Sequence, residues 1–388
     1  MARKKITLSG IGTVNKGAEL MLYAILQEIE RKFPDAIVYI SAPFNPQGLT
    51  YIKTKLELKN KTIDKWRRQY KRFHILGIAK LLHINKVHLD DVYAIKGTDY
   101  FIDSSGFLVT DQWHHSSYST KKWDLLLKRN KSTGAKIIFL PQAFGPIEKE
   151  NTKKLLSSIN KYATIIMPRE KVSYDYLQSS GIVNMEKVKL HKDFTCLVDG
   201  TFPEKYSHLK NGICIIPNLR MVDKGTMKIE DYTKLFTSII ATCKEKGKPV
   251  YLLNHEGKGD EKIAFEIQSL VGKDIEVVTG LNALEVKGMI SSAYLVISSR
   301  FHGVASSLNS CVPCLATSWS HKYEELFKDY KQKECVLSLD NINTVILKVK
   351  DFLEETKNRE IRDSLHKIKP KIQGETRKMW EEIWNLEN

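Results

Sequence analysis

Short apolar runs alternate along the chain with longer stretches whose apolar residues recur at helical spacing. That alternation predicts parallel strands joined by amphipathic helices on both sheet faces. In the first half the predicted strands are 6–9, 37–42, 92–95, 100–103, 136–140 and 164–167, with helices over 17–33, 120–131 and 171–180. A polar stretch, 199–211 (DGTFPEKYSHLKN), breaks the pattern and reads as a linker. The alternation then resumes: strand 213–217, helix 230–246, strand 250–254, helix 258–271, strand 275–279, a short helix, strand 293–298 and strand 312–317. An amphipathic piece carrying Trp380 and Trp384 closes the chain over 377–386. The fold class this implies is α/β, with two doubly wound Rossmann-like domains facing a cleft. Their expected bounds are 1–200, with a basic insertion near 53–86, and 201–374, followed by a terminal helix over 375–388 that crosses back. Ligands of such sheets bind outside the carboxyl ends of the strands, so the strand tips are the place to look for chemistry.

Composition adds little beyond a globular class, with 42% hydrophobic and 27% charged residues in 388. No apolar run reaches the roughly 20 residues of a membrane-spanning helix. The opening residues, MARKKITLSG, lack the apolar core and cleavage site of a secretory signal, so a cytoplasmic protein is expected. Charge changes the picture more: 61 Lys and Arg against 45 Asp and Glu, a formal +16, favour anionic partners. Residues 53–86 concentrate it, with eleven Lys or Arg, only two acids (Glu57 and Asp64), and interleaved Trp66, Tyr70, Phe73, Leu76, Leu81 and Leu82. An amphipathic helix pair resting on an anionic membrane surface at the inner face fits that pattern, and so does a solvated basic insertion. Nucleic acid is not an expected partner, because the run carries none of the recognised modules. Of six cysteines, Cys311 and Cys314 form a CxxC across a helix end and the next strand. Without a second pair it reads as buried core, and no metal site is expected.

The densest chemistry lies in 293–323, AYLVISSRFHGVASSLNSCVPCLATSWSHKY. A buried strand ends in Arg300 and His302, Gly303 opens a helix, and a second strand leads to His321 and Lys322. A strand tip with cationic side chains before a helix N-terminus is suited to a small anion. His302 adds a group able to give or take a proton near neutral pH. The first glycine turn, Gly10-Ile-Gly-Thr-Val-Asn-Lys-Gly17, is neither a dinucleotide fingerprint nor a P-loop. Asn15 stands where the third fingerprint glycine belongs, and Ala18 and Glu19 where a P-loop needs Lys and Ser or Thr. Gly12 and Gly17 still permit close backbone approach by a ligand, and Asn15 has an amide suited to a sugar hydroxyl. Further strand-tip candidates are Ser105 and Gly106, the polar loop with Asp111, His114 and His115, the proline-punctuated 141–146, Arg169 and Arg220.

Arg300-Phe-His-Gly303, the later His321-Lys322-Tyr323, and the spaced Asn15, Gly17 and Glu19 resemble the polysaccharide pyruvyl transferases. Ser104-Ser105-Gly106, Pro168-Arg169-Glu170, Asp193 and Asn218-Leu219-Arg220 also occur in the order this family has them. The resemblance covers most of the chain. It implies a fold similar to GT-B glycosyltransferases and transfer of a pyruvyl group from phosphoenolpyruvate to a sugar of a cell-surface polysaccharide precursor. The product is a cyclic ketal, phosphate is released, and no cofactor is needed. By the same resemblance Arg300, His302 and Lys322 serve the donor. Gly303, His321, Arg169, Arg220, Asn15, Gly12, Gly17, Ser105 and Gly106 are expected to bind substrate, the acceptor being a sugar or a lipid-linked oligosaccharide. Ser104-Ser105 replaces two glycines of the family's usual triplet, and Ala18 its usual aspartate, so the acceptor's identity is not implied. Two other readings fit the same residues: a nucleotide-sugar glycosyltransferase, and a non-catalytic glycan- or membrane-binding protein acting through 53–86.

Overall fold

The computed structural model describes residues 3–40, 52, 54–60, 94–223, 227–317, 321–339 and 341–386. It divides into two compact units. The first comprises Met1–Ile11, Ile25–His191 and Glu381–Asn388, and the second Gly12–Ala24 and Lys192–Trp380.

The first unit holds six parallel strands: β1 (Lys5–Ser9), β2 (Ile37–Ile40), β3 (Glu57–Asn60), β4 (Tyr100–Asp103), β5 (Lys136–Gln142) and β6 (Ile165–Pro168). Their order is β3-β2-β1-β4-β5-β6. β4, β5 and β6 are almost wholly buried, as expected of parallel strands covered on both faces. Helices Ser117–Ser132, Glu150–Tyr162 and Lys171–Ser179 supply the crossovers around β5 and β6. Their apolar faces meet the sheet in a core built on Phe101, Phe139, Leu155, Ile159 and Leu177.

β3 corrects part of the reading of the basic stretch. Glu57–Asn60 is not helical but pairs in parallel with β2. The alternation Lys55-Leu-Glu-Leu-Lys59 has a period of two, which suits a strand with one face inward. The remainder of that stretch, 61–86, lies outside the described residues, as do 92–93 of the strand expected at 92–95. Ala94 and Ile95 are described and are not in a strand.

The second unit repeats the plan with β7 (Ile213–Ile216), β8 (Val250–Leu253), β9 (Glu276–Val278), β10 (Leu295–Ser298), β11 (Cys314–Thr317) and β12 (Val336–Leu337), ordered β12-β11-β10-β7-β8-β9. Its flanking helices include Ile229–Lys244, Gly257–Val271, Ala283–Ser291 and Phe301–Asn309. The core runs through Ile215, Phe236, Leu252, Val296, Phe327 and Phe352, with Cys311 and Cys314 buried in it.

The expected linker 199–211 is packed structure instead. Residues Glu204–Leu209 form a 3₁₀ turn, and the Thr201 N–H donates to Leu284 O at 2.9 Å. Its polar residues stand at turn positions, which is why the composition reads as a linker. The expected tail helix is the end of a much longer one, Glu355–Trp384. Trp380 is buried edge-on to Phe194 within the second unit, and Trp384 lies edge-on to Phe33 and Tyr100 within the first.

In each sheet the strand order reverses once. The reversal falls between β1 and β4 in the first unit and between β7 and β10 in the second. These are the positions at which open α/β sheets bind ligands.

Candidate active site

At the reversal point of the second unit, β7 ends in Pro217-Asn218 and β10 in Ser298-Ser299-Arg300. A buried polar network fixes both tips. Asn218 Nδ2 donates to Ser299 O at 2.9 Å, and the Asn218 N–H donates to Tyr232 Oη at 2.8 Å. Tyr232 Oη also lies 3.0 Å from Ser299 Oγ, which bonds Thr317 Oγ1 on β11 at 2.5 Å. Tyr323 Oη donates to Ser299 O at 2.8 Å. That last bond ties the helix His321–Asp329 to the β10 tip and sets its neighbour Lys322, half-buried, in the same helical turn. Of His321 only the backbone is described; it opens that helix.

Helix Phe301–Asn309 starts directly at the tip, with Arg300 as its N-cap residue and no side-chain cap bond. Gly303 lets it lie close on the sheet, since a Cβ there would come within 2.5 Å of Ser298 Oγ and 3.0 Å of Ile216 Cδ1.

Arg300 reaches past β7 to the tip of β8, two strands away in the sheet. Its Nε and Nη2 donate to Asp260 Oδ2 and Oδ1 at 2.7 and 2.5 Å, and Nη1 donates to Glu256 Oε2. Burial works against its charge, but Asp260 and then Glu256 outweigh that and raise the guanidinium above its ordinary range. The guanidinium is therefore already engaged by two carboxylates, and an anion would meet it as a member of a trio. Between Asn254 and Glu256 sits His255. Burial, then the charges of Arg300, His302 and Lys16, press it well below the usual imidazole range, so it is neutral. Its Nδ1 has no hydrogen-bond partner among the described residues.

His302 lies one helical residue past Phe301, mostly buried, with Nε2 3.6 Å from Asp193 Oδ2. Asp193 is itself positioned by Thr195, whose N–H and Oγ1 donate to Oδ1 at 3.0 and 2.5 Å. The opposite edge of the ring faces Gly17: a Cβ at that glycine would stand 2.1 Å from His302 Nδ1. Gly17 is thus filled by the imidazole, which revises the expectation of open room for a ligand. The loop before it is anchored in the same unit. Lys16 N–H donates to His255 O at 3.2 Å, and Asn15 bridges Glu256 as an isolated β-pair.

Asn15 also holds local backbone. Its Oδ1 accepts from the N–H groups of Gly17 and Ala18 at 2.8 and 3.2 Å, capping helix Lys16–Lys32. The first-turn N–H groups of a helix need an outside acceptor, and this side-chain oxygen supplies it. Gly12 adjoins open space, with nothing within 4 Å of a Cβ placed there. Arg220 has an exposed side chain paired with Asp223 at 2.5 Å, while its backbone N–H donates to Asn218 Oδ1 at 2.9 Å.

The first unit has its own strand-tip set. Asp103 ends β4 fully buried, which raises its carboxyl, and accepts from Ser105 N–H and Oγ at 3.2 and 3.0 Å. Gly10, at φ +71°, lies so close to Ser105 that a Cβ would overlap its Oγ at 2.2 Å. Gly106 O accepts from Ala143 N–H at 3.0 Å. Arg169 is buried at the end of β6, 3.8 Å from Glu170. In the loop beyond β4, Asp111 accepts from the N–H groups of Glu148 and Lys149, and His114 Nδ1 lies 2.9 Å from Lys149 Nζ. Asp111 is thereby spent on chain geometry.

Sequence reasoning missed His255, Glu256, Asp260 and Lys287. For the first three the available signal was the strand 250–254 running into Asn-His-Glu, with Asp260 one turn further along a helix.

Residues 15–321 match the profile of polysaccharide pyruvyl transferases, so the chain belongs to that family. The amylovoran biosynthesis protein AmsJ of Erwinia amylovora is 22% identical over 281 residues, 66% of this chain and 64% of the relative. The chain thus spans somewhat less than two thirds of the length of the relative it matches. Among solved structures, HepE from Anabaena in complex with UDP and glucose is similar at a TM-score of 0.60 and 11% identity, covering 99% of this chain and 100% of the other. The UDP-GlcNAc 2-epimerase of Neisseria meningitidis, bound to UDP-GlcNAc, is similar at 0.59 and 12%, covering 98% and 99%. At such identities the likeness is one of fold, and that fold is GT-B-like.

Proposed function

We propose that this pyruvyl transferase family member uses phosphoenolpyruvate as donor and a sugar diol of a polysaccharide precursor as acceptor. The observation that carries the reading is His302 at the β10 tip, packed on Gly17 and faced by Asp193, at the start of a helix whose N-cap residue Arg300 makes no side-chain cap bond. The helix end and Lys322 suit the donor's phosphate and carboxylate. His302 as imidazolium protonates the methylene carbon, which makes C2 electrophilic, and one sugar hydroxyl attacks there and returns its proton to the imidazole. The C2–O bond to phosphate then breaks. The second hydroxyl closes the ketal, and its proton leaves with phosphate. Asp193 holds the imidazolium through Nε2. The acceptor is either a free or a lipid-linked saccharide.

Phosphate release from phosphoenolpyruvate across a panel of acceptor glycans tests the reading directly. Acceptor-dependent release supports it. UDP-glucose is the counter-probe, because HepE was solved with UDP. Thermal stabilisation by UDP-glucose but not by phosphoenolpyruvate, without phosphate release, would replace it by nucleotide-sugar glycosyl transfer.

Gly17→Ala is a sharper local test. Its Cβ evicts the ring of His302 from its seat, while alanine in a helix is favoured over glycine by about 1 kcal/mol. Turnover should fall on the order of 10²-fold, as for a catalytic group displaced by about 1 Å. The melting temperature should fall modestly, since overpacking of about 1–3 kcal/mol outweighs what alanine gains in the first turn. Unchanged turnover would mean that the ring's position does not matter.

A further inference from the structure

Helix Ala283–Ser291 lies backbone to backbone against the segment that carries Asp193. A Cβ on Gly288 would stand 2.3 Å from the Thr201 carbonyl, and one on Gly200 would stand 2.4 Å from Gly288 N. From this helix Lys287, 3% exposed, reaches into the 3₁₀ turn Thr195–Leu197 and donates from Nζ to Thr195 O at 3.0 Å. Thr195 therefore has two partners on opposite sides. Its N–H and Oγ1 hold Asp193 Oδ1, and its carbonyl is held by Lys287. The other Asp193 oxygen, Oδ2, is the one that faces His302 Nε2.

We propose that Lys287 is a positioning residue for the proton-transfer histidine: it fixes the Thr195 turn and offsets part of the charge that Asp193 presents to His302. The proposal rests on the reading of His302 as the proton carrier. A lysine is an expensive way to fill a buried helix position, where a methionine would pack without desolvation cost. Burial lowers Lys287 to about 8, while Cys196, Asp193 and Asp199 pull it up and Lys369 pushes it down. Its charge thus survives at neutral pH largely in the company of the acidic groups of the Asp193 segment. The opposite edge of the imidazole faces Gly17, and the charges of His302, Arg300 and Lys16 are felt together at the buried His255.

The sign of the effect follows. A lysine depressed in the fold is penalised where it must stay charged, so Lys287→Met removes a penalty along with one hydrogen bond and leaves the domain folded. It also leaves Asp193 unopposed, which favours imidazolium, so His302 should titrate at higher pH than in the unsubstituted protein. Histidine NMR titration, with His302 assigned by its loss in His302→Gln, reads this without any substrate. Lys287→Arg, keeping the charge, should leave the titration in place. Asp193→Asn should move His302 downward, and should also lower the Lys287 titration followed at Cε. Turnover in Lys287→Met should drop about tenfold with the Michaelis constant for phosphoenolpyruvate unchanged, and its alkaline limb should shift upward with the histidine. A His302 titration that is the same in Lys287→Met as in the unsubstituted protein overturns the proposal. So does a Lys287 titration indifferent to Asp193→Asn, which covers the case in which the methionine variant does not fold. Neither NMR result depends on which group the enzyme transfers, so failure of the pyruvyl reading would show separately, as absent phosphate release.

Discussion

His302→Gln is expected to lower turnover about 10²–10⁴-fold while leaving the protein folded, the range that positioned acid–base groups contribute. Glutamine approximates the ring's size and can still donate toward Asp193 Oδ2, now 3.6 Å from Nε2, so the packing on Gly17 is disturbed little. What disappears, on the proposed mechanism, is the proton that moves. The proposed reaction leaves the donor's anionic groups to the helix N-terminus and Lys322, so the Michaelis constant for phosphoenolpyruvate should hardly change. A general acid works only while protonated, and activity should fall with rising pH in the unsubstituted enzyme. In His302→Gln that alkaline limb should flatten. Phosphate release measured from pH 5 to 9 in both proteins decides the matter, with circular dichroism as the control for folding. Near-normal turnover would remove His302 from the chemistry and leave the family assignment standing on fold and sequence alone.

Strand tips were legible because parallel strands buried on both faces announce themselves as short apolar runs, and whatever polar residue follows such a run lies at the carboxyl edge. Arg300, His302 and Gly303 are placed at such an edge by the sequence pattern alone. What could not be read is which tip residues turn toward each other. The partner of His302 is Asp193, 109 positions earlier by number, and nothing in the spacing of either predicts the 3.6 Å approach. The seat of the ring is Gly17, which looked like a glycine waiting for a ligand. Asn15 has a use that its type alone does not announce: the same amide that suits a sugar hydroxyl caps two helix N–H groups through its oxygen. Glu57–Asn60 shows the opposite error, a strand of period two concealed by the charge of its surroundings. Charge dominated the reading there although it says little about local backbone conformation.

Arg300→Leu is expected to destabilise the protein by about 3–5 kcal/mol, the usual cost of removing one member of a buried ion pair. The reason lies in what is left behind. Asp260 is fully buried, and both its oxygens accept from Arg300, at 2.7 and 2.5 Å. Without the guanidinium, that carboxylate must either stay charged in a poorly solvating site or take up a proton. Glu256 is a milder case, because its side chain keeps 27% exposure and can turn toward water. The double variant Arg300→Leu with Asp260→Leu removes both buried charges and should regain part of the loss, since apolar residues of similar volume replace buried pairs at little cost while the Leu219 N–H loses its acceptor on Asp260. Urea unfolding of both single variants and the double variant gives the coupling; strict additivity would show that the pair is not a unit. Turnover is expected to separate from stability here. The double variant still lacks the cation that opens helix Phe301–Asn309, and a donor phosphate or carboxylate could draw that cation from its carboxylates only if it is present. Regained stability with turnover still lost therefore gives Arg300 a role toward substrate beyond holding the β8 and β10 tips together. Regained turnover would confine it to the scaffold and leave the donor to Lys322 and the helix end.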